Sequence, residues 1–139
     1  MRVLDDRRLA IGDLPGNRRL DSLRNLLAND RAGLLFMVPG YGETLRVNGR
    51  ACVTRDPELL AALALKGKVP ALAVGVEAEQ VFLHCAKALE RSALWRPDEW
   101  PQLDGLPTAA RIWRDHARLE TPAEELEARL LRSYAETLY

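Results

Sequence analysis

The stretch "GLLFMVPGYGETLRVNGRACVTR", residues 33–55, limits this chain more than any other. With Ala32 before it, it opens as an unbroken apolar run of strand length, Ala32–Val38, and then reaches the turn "PGYG". After the turn the pattern alternates. Leu45, Val47 and, past Gly49, Ala51 and Val53 fall on one face, while Arg46, Asn48 and Arg50 fall on the other. Successive strand side chains point to opposite faces, so this is a long strand buried on one side. An apolar strand, a Gly-containing turn and an alternating strand predict a β-hairpin.

The flanking sequence adds short strands and interspersed helices. "RVL" and "RLAI" read as two strands around the turn "DDR". From Leu20 to Leu27 the leucines at 20, 23, 26 and 27 recur at helical spacing, which predicts an amphipathic helix ending at "NDR". Asp56 stands as N-cap with Pro57 at the first helical position, ahead of a helix reaching Lys66. "ALAVGVE" and "QVFLHC" read as two further strands meeting at an acidic turn, Glu77 to Glu79, and "AKALERSALW" as a helix after them. The link "RPDEWPQLDGLP" leads to a helical tail, one piece from Thr108 to about Leu119 and another opened by Thr121–Pro122. The expected organisation is one domain over 1–139, a barrel with helices over 1–95 and a helical tail over 96–139. Neighbouring strands joined by hairpins predict an antiparallel barrel or sheet, mainly β with α, with helices at its ends.

Composition removes several functions. Twenty basic residues balance 20 acidic ones, so no general charge favours nucleic acid or an anionic membrane. No apolar run nears the roughly 20 residues that span a bilayer. The start "MRVLDDRRLA" is not that of a signal peptide, and the expected location is the cytoplasm. Two cysteines and two histidines give no metal knuckle or disulfide framework. Neither a G-x-G-x-x-G nor a G-x-x-x-x-G-K-[ST] motif occurs, so a nucleotide would have to be held another way. "GLLFMV" and "LAVGV" are apolar on both faces and call for cover that so short a chain has few helices to supply, which predicts a two-fold dimer.

Three clusters could carry chemistry. Asn17, Arg18, Arg19 and Ser22 surround a helix start, where free amides and arginine forks attract phosphate. They also fit an ordinary first turn with solvated arginines. His84 precedes Lys87, Arg91 and Ser92, and Lys87 and Arg91 are four apart on one helical face. Such like charges repel unless an anion lies between them, and a solvated basic face with His84 as a satisfied core histidine is the plainer reading. Glu43, Thr44 and Arg46 open the long strand, where cross-strand polar pairing on a wet face is the plainer reading. His84 and Cys85 do not form a thiol–imidazole pair, because neighbours on a strand point apart.

Taken together, "PGNRRLDSLRNLLANDRAGLLFMVPGYGETLRVNGRACV" and "VFLHCAKALERSALW" resemble the FMN-binding split-barrel family related to pyridoxamine 5'-phosphate oxidase, and within it a bacterial branch of uncharacterised flavin-binding proteins. The resemblance implies a six-stranded antiparallel barrel, a homodimer, and FMN in each of two grooves between subunits. It places Asn17, Arg18 and Ser22 on the phosphate side, although the oxidase has an Arg-Lys pair where this chain has Asp21 and Ser22. Thr44 falls where the oxidase has a Gln beside the ring. Lys87, Arg91 and Ser92 fall near later flavin contacts, which come from the other subunit. The implied function is that of an FMN-dependent oxidoreductase acting on an unidentified small molecule. The alternatives are a non-catalytic flavin-binding or sequestering module and an apo dimer. Family members carry two strands ahead of the segment matching "RVLDD", so the expectation is a barrel shortened at its N-terminus, with part of the phosphate site missing and strand edges exposed.

Overall fold

Asp5 turns the chain back on itself. Its carboxylate accepts the backbone N–H groups of Arg7 at 2.9 Å and Arg8 at 2.8 Å, and Nε of Arg8 at 2.6 Å. The Arg8 guanidinium, followed by the Arg7 amide, holds this carboxyl below the usual carboxylate range. The turn closes β1 (Arg2–Val3) onto β2 (Arg8–Asp13). In the computed structural model, which describes residues 1–16 and 19–137, α1 (Asp21–Ala28) comes next. The predicted hairpin follows as β3 (Arg31–Phe36) and β4 (Thr44–Thr54), in register from Arg31 opposite Arg50 to Phe36 opposite Leu45.

Asp56 caps α2 (Pro57–Ala62), accepting the Leu59 amide at 2.8 Å. That helix stops short of the expected Lys66, which has a positive φ of 47°. A larger correction concerns Glu77–Glu79. The chain does not turn there but runs straight through as one strand, β5 (Leu72–His84). The physical reason is pairing across the strands. Arg7 meets Glu77 at 3.5 Å, and Arg31 meets Glu79, so the carboxylates that read as a turn are neutralised on the sheet surface. A bulge between Asn48 and Gly49 absorbs the register change, with Gly49 opposite Ala78.

The sheet order is β1-β2-β5-β4-β3, antiparallel throughout. Five strands are present among the described residues where the resemblance implied six; the antiparallel split-barrel class stands. One face carries the core, built on Leu9, Val47, Ala51 and Val76, with Leu34 and Phe36 of β3 packed against it. Of the four periodic leucines in and before α1, Leu26 joins this core and Leu23 is half-buried, while Leu20 and Leu27 are exposed. The other face is covered at one end only, where Leu60 and Leu63 close over Ala10 and Ala73. Its remaining surface is exposed at Leu35, Phe82 and His84, while Thr44 at the start of β4 is buried.

After β5 comes α3 (Lys87–Arg91), shorter than the predicted helix because the chain takes a left-handed turn at Ala93, φ 50°. Contacts divide the chain into two compact units, Met1–Trp100 and Pro101–Tyr139. The second unit pairs α4 (Ala109–Ala117), which starts beside Thr108 as expected and which Thr108 caps by accepting the Arg111 amide, with α5 (Ala123–Thr137). No helix among the described residues is long and apolar enough to cross a membrane.

Candidate functional site

Register brings the second and third clusters together at one end of the sheet. Thr44, the first residue of β4, lies directly opposite His84, the last of β5. Thr44 is 7% exposed, a polar residue buried at the end of the sheet. Two positions along, Arg46 lies between Leu35 of β3 and Phe82 of β5, on the same face as Thr44 and His84. Nε of Arg46 donates to Nδ1 of His84 at 3.1 Å. That bond makes Nδ1 the acceptor, so a neutral His84 carries its proton on Nε2. The outcome is a shelf with apolar flanks at Leu35 and Phe82, a guanidinium between them, and a hydroxyl and an imidazole at its end.

Three residues beyond His84, Lys87 begins α3. Neither Lys87 nor Arg91 has an ion-pair partner among the described residues. Glu90, the carboxylate closest to them in sequence, is held instead by Arg96 at 2.7 Å, and Glu99 holds the same guanidinium at 2.6 Å. The two carboxylates, Glu90 first, hold Arg96 even more firmly protonated than usual. Among the described residues both cations of α3 thus remain uncompensated. Ser92 donates its hydroxyl back to the Leu89 carbonyl at 3.1 Å, an ordinary helix-end bond. The helix is seated by its surroundings. Trp95 Nε1 donates to the Tyr41 carbonyl at 2.8 Å, and a Cβ on Gly42 would come within 2.9 Å of Ala86, so α3 rests against the β3–β4 turn.

The first cluster stands apart. Ser22 is exposed in the first turn of α1, the helix that packs on the core face through Leu26. Arg19 binds the Asp21 carboxylate at 2.9 Å, which places a negative charge at the helix start. No hydrogen bond or ion pair among the described residues links Ser22 to Thr44 or α3. Asn17 and Arg18 lie outside the described residues. From the sequence Arg46 and His84 belong to separate clusters; the shared register that joins them, and the flanking positions of Leu35 and Phe82, become visible only when the strands are paired.

An open antiparallel sheet with one helix-covered core face and a cationic shelf at one end defines a split-barrel protein suited to a flat, anion-bearing ligand. The comparison with family models identifies which one: residues 1–85 match the pyridoxamine 5'-phosphate oxidase family, and the chain belongs to that family of flavin-binding proteins. No curated protein and no solved structure matches the chain. The donor set fits a flavin. Thr44, Arg46 and His84 offer hydrogen-bonding groups to a polar ring edge, Leu35 and Phe82 offer apolar contact, and Lys87 and Arg91 offer charge to an anion. Among the described residues no group of three or more metal-ligating side chains gathers.

Proposed function

We propose that this chain binds FMN at the Thr44–His84 end of its sheet, as a homodimer with the flavin in a groove between subunits, and acts as a flavin-dependent oxidoreductase on a small molecule. The observation that carries this is the convergence of a buried Thr44 and the Arg46–His84 bond within the residues that match the family, followed just beyond them by two cations without an ion-pair partner among the described residues. The flavin, when bound, supplies the redox chemistry. The chain's own residues bind and orient. Thr44 and Arg46 present N–H and O–H donors to the ring edge, Leu35 and Phe82 exclude water from its face, and Lys87, Arg91 and Ser92 meet anionic or polar groups. Asn17, Arg18 and Ser22 meet the phosphate across the groove between subunits, since Ser22 stands apart from this shelf within one subunit.

The test is a visible-absorption titration with FMN and with riboflavin. FMN is expected to bind at one per chain and to bleach on addition of NADH or NADPH. Ser22→Ala is expected to weaken FMN more than riboflavin, since a hydrogen bond to a charged group is worth about 1.5–3 kcal/mol and riboflavin lacks the phosphate. Equal losses for both ligands would remove Ser22 from the phosphate. Failure of FMN to bind would end this reading; binding without bleaching would reassign the protein to holding flavin.

The dimer rests on β5. Its edge away from β4 pairs with β2 only from Leu72 to Glu77, and from Glu79 to His84 it has no strand partner among the described residues. Val81 and Leu83 on that stretch are 60% and 63% exposed, and Phe82 is 44% exposed. An unpaired apolar edge calls for cover from another chain. A two-fold dimer is expected by light scattering at micromolar concentration, with an interface above roughly 1,000 Å². A monomer would overturn it.

A further inference from the structure

A second cavity lies elsewhere on the open face of the sheet. It is a partly open hollow of about 520 Å³, within the range of small-molecule sites. Its floor is Cys52 of β4 and Gly75 of β5, which face each other across the two central strands. Leu4 stands on one side and Leu59 of α2 on the other. Cys52 lies about 26 Å along β4 from Thr44 at ~3.3 Å per residue, so this cavity is not part of the flavin shelf.

Its chemistry differs from that of the shelf as well. Arg8 and Arg50 line the cavity, yet each already carries a carboxylate. Arg8 holds Asp5 at 2.6 Å, and Arg50 Nε holds Asp30 Oδ2 at 2.9 Å. Glu77, also in the lining, adds a negative charge and is met by Arg7 at 3.5 Å. A phosphate entering here would have to displace a carboxylate from its arginine, and would find Glu77 beside it. The interior surface is mostly apolar, and a glycine at the floor leaves flat backbone where a side chain would otherwise rise. We propose that this cavity is a second binding site, for a flat, uncharged, largely apolar ring molecule.

Cys52 is exposed at the floor and reports directly on occupancy, while Cys85, also exposed, lies outside the lining and serves as internal reference. The probes are indole, flat and neutral, and phenyl phosphate, of similar size but charged. Each thiol's alkylation by iodoacetamide is followed by peptide mass spectrometry on the intact chain. At indole about four times its Kd the free fraction is one-fifth, so Cys52 is expected to react about fivefold more slowly, saturably, with Cys85 unchanged. Phenyl phosphate is expected to protect neither. Gly75→Val raises a side chain from the floor, where its Cβ would sit 3.4 Å from the Cys52 sulfur, and is expected to abolish protection. Leu4→Asp, on an exposed wall position, sets a charge in the cavity without touching the core and is expected to weaken it at least as clearly. Equal protection of both cysteines, protection by phenyl phosphate, or protection undiminished in both variants would overturn the proposal. So would a Cys52 that fails to react in the absence of any probe, since the face would then already be covered.

Discussion

Gly49→Ala is expected to lower the melting temperature by roughly 10 °C, the largest effect of any glycine-to-alanine change in this chain. Gly49 sits at the bulge between the two central strands, opposite Ala78. A Cβ built there would lie 1.9 Å from the carbonyl oxygen of Glu77, 2.9 Å from its carbonyl carbon and 3.1 Å from the Glu79 nitrogen. All three atoms are backbone, so no rotamer change relieves the overlap; β4 and β5 must separate. Overpacking a core by a methylene typically costs about 1–3 kcal/mol, and a clash against two strands belongs at the upper end. For a domain of this size about 1 kcal/mol moves the midpoint by roughly 2–4 °C or more, which gives the expected shift. Gly33→Ala is the control. Its Cβ would meet the Asn48 side-chain oxygen at 3.1 Å, and a side chain can move aside. Thermal melts followed by circular dichroism compare the two. Equal midpoints would mean that the strands are not registered through a bulge at Gly49.

The same bulge separates what was legible in the sequence from what was not. The hairpin of β3 and β4 was legible because its signal is local: an apolar run, a Gly-rich turn and strict alternation. The cap at Asp56 was legible for the same reason, since a cap is a short-range hydrogen bond. Glu77 and Glu79 were misread because their neighbours in sequence are apolar strand residues and each other. The arginines that stabilise them in mid-strand, Arg7 and Arg31, lie 70 and 48 residues away in the chain and meet them only across the sheet. Leu27 was misread in the opposite sense. Its spacing is that of a core leucine, but α1 is only Asp21–Ala28 and offers Leu23 and Leu26 to the sheet, leaving Leu27 78% exposed.

The candidate site divides along the same line. Thr44 and the α3 residues could be named one at a time, each with a duller reading beside it. That Thr44 faces His84, and that Arg46 donates to His84, depends on the pairing of strands 38 residues apart. The pairing of His84 with Arg46 in turn gives the imidazole a structural partner. His84 is thereby neither a core histidine nor the partner of Cys85. It anchors the strand end from which α3 departs, and so sets where Lys87 begins.

That placement makes Lys87→Ala the sharpest test of the proposed flavin site. If α3 turns its basic side to the groove, Lys87 and Arg91 lie near the ring or its phosphate, and a cation near the ring favours the reduced form, which carries more negative charge. Removing Lys87 is then expected to lower the flavin midpoint potential on the order of tens of millivolts, the scale of a charge at a few ångström in an effective dielectric near 20 after screening by solvent. FMN affinity is expected to fall with it. In the parent Glu90 does not neutralise Lys87, because Arg96 already holds its carboxylate at 2.7 Å. If α3 instead turns these cations to solvent, removing one only relieves repulsion between residues four apart. Potential and affinity would then match the parent, and the melting temperature would move by less than about 0.5 kcal/mol in equivalent stability. Arg91→Ala separates ring from phosphate. A fall in affinity for FMN with riboflavin unchanged places Arg91 at the phosphate, and a parallel fall for both places it at the ring. Potentiometric titration of parent and variants at one ionic strength, with affinities measured in the same buffer, decides between groove and solvent, because only a cation beside the flavin shifts both readings in the same direction.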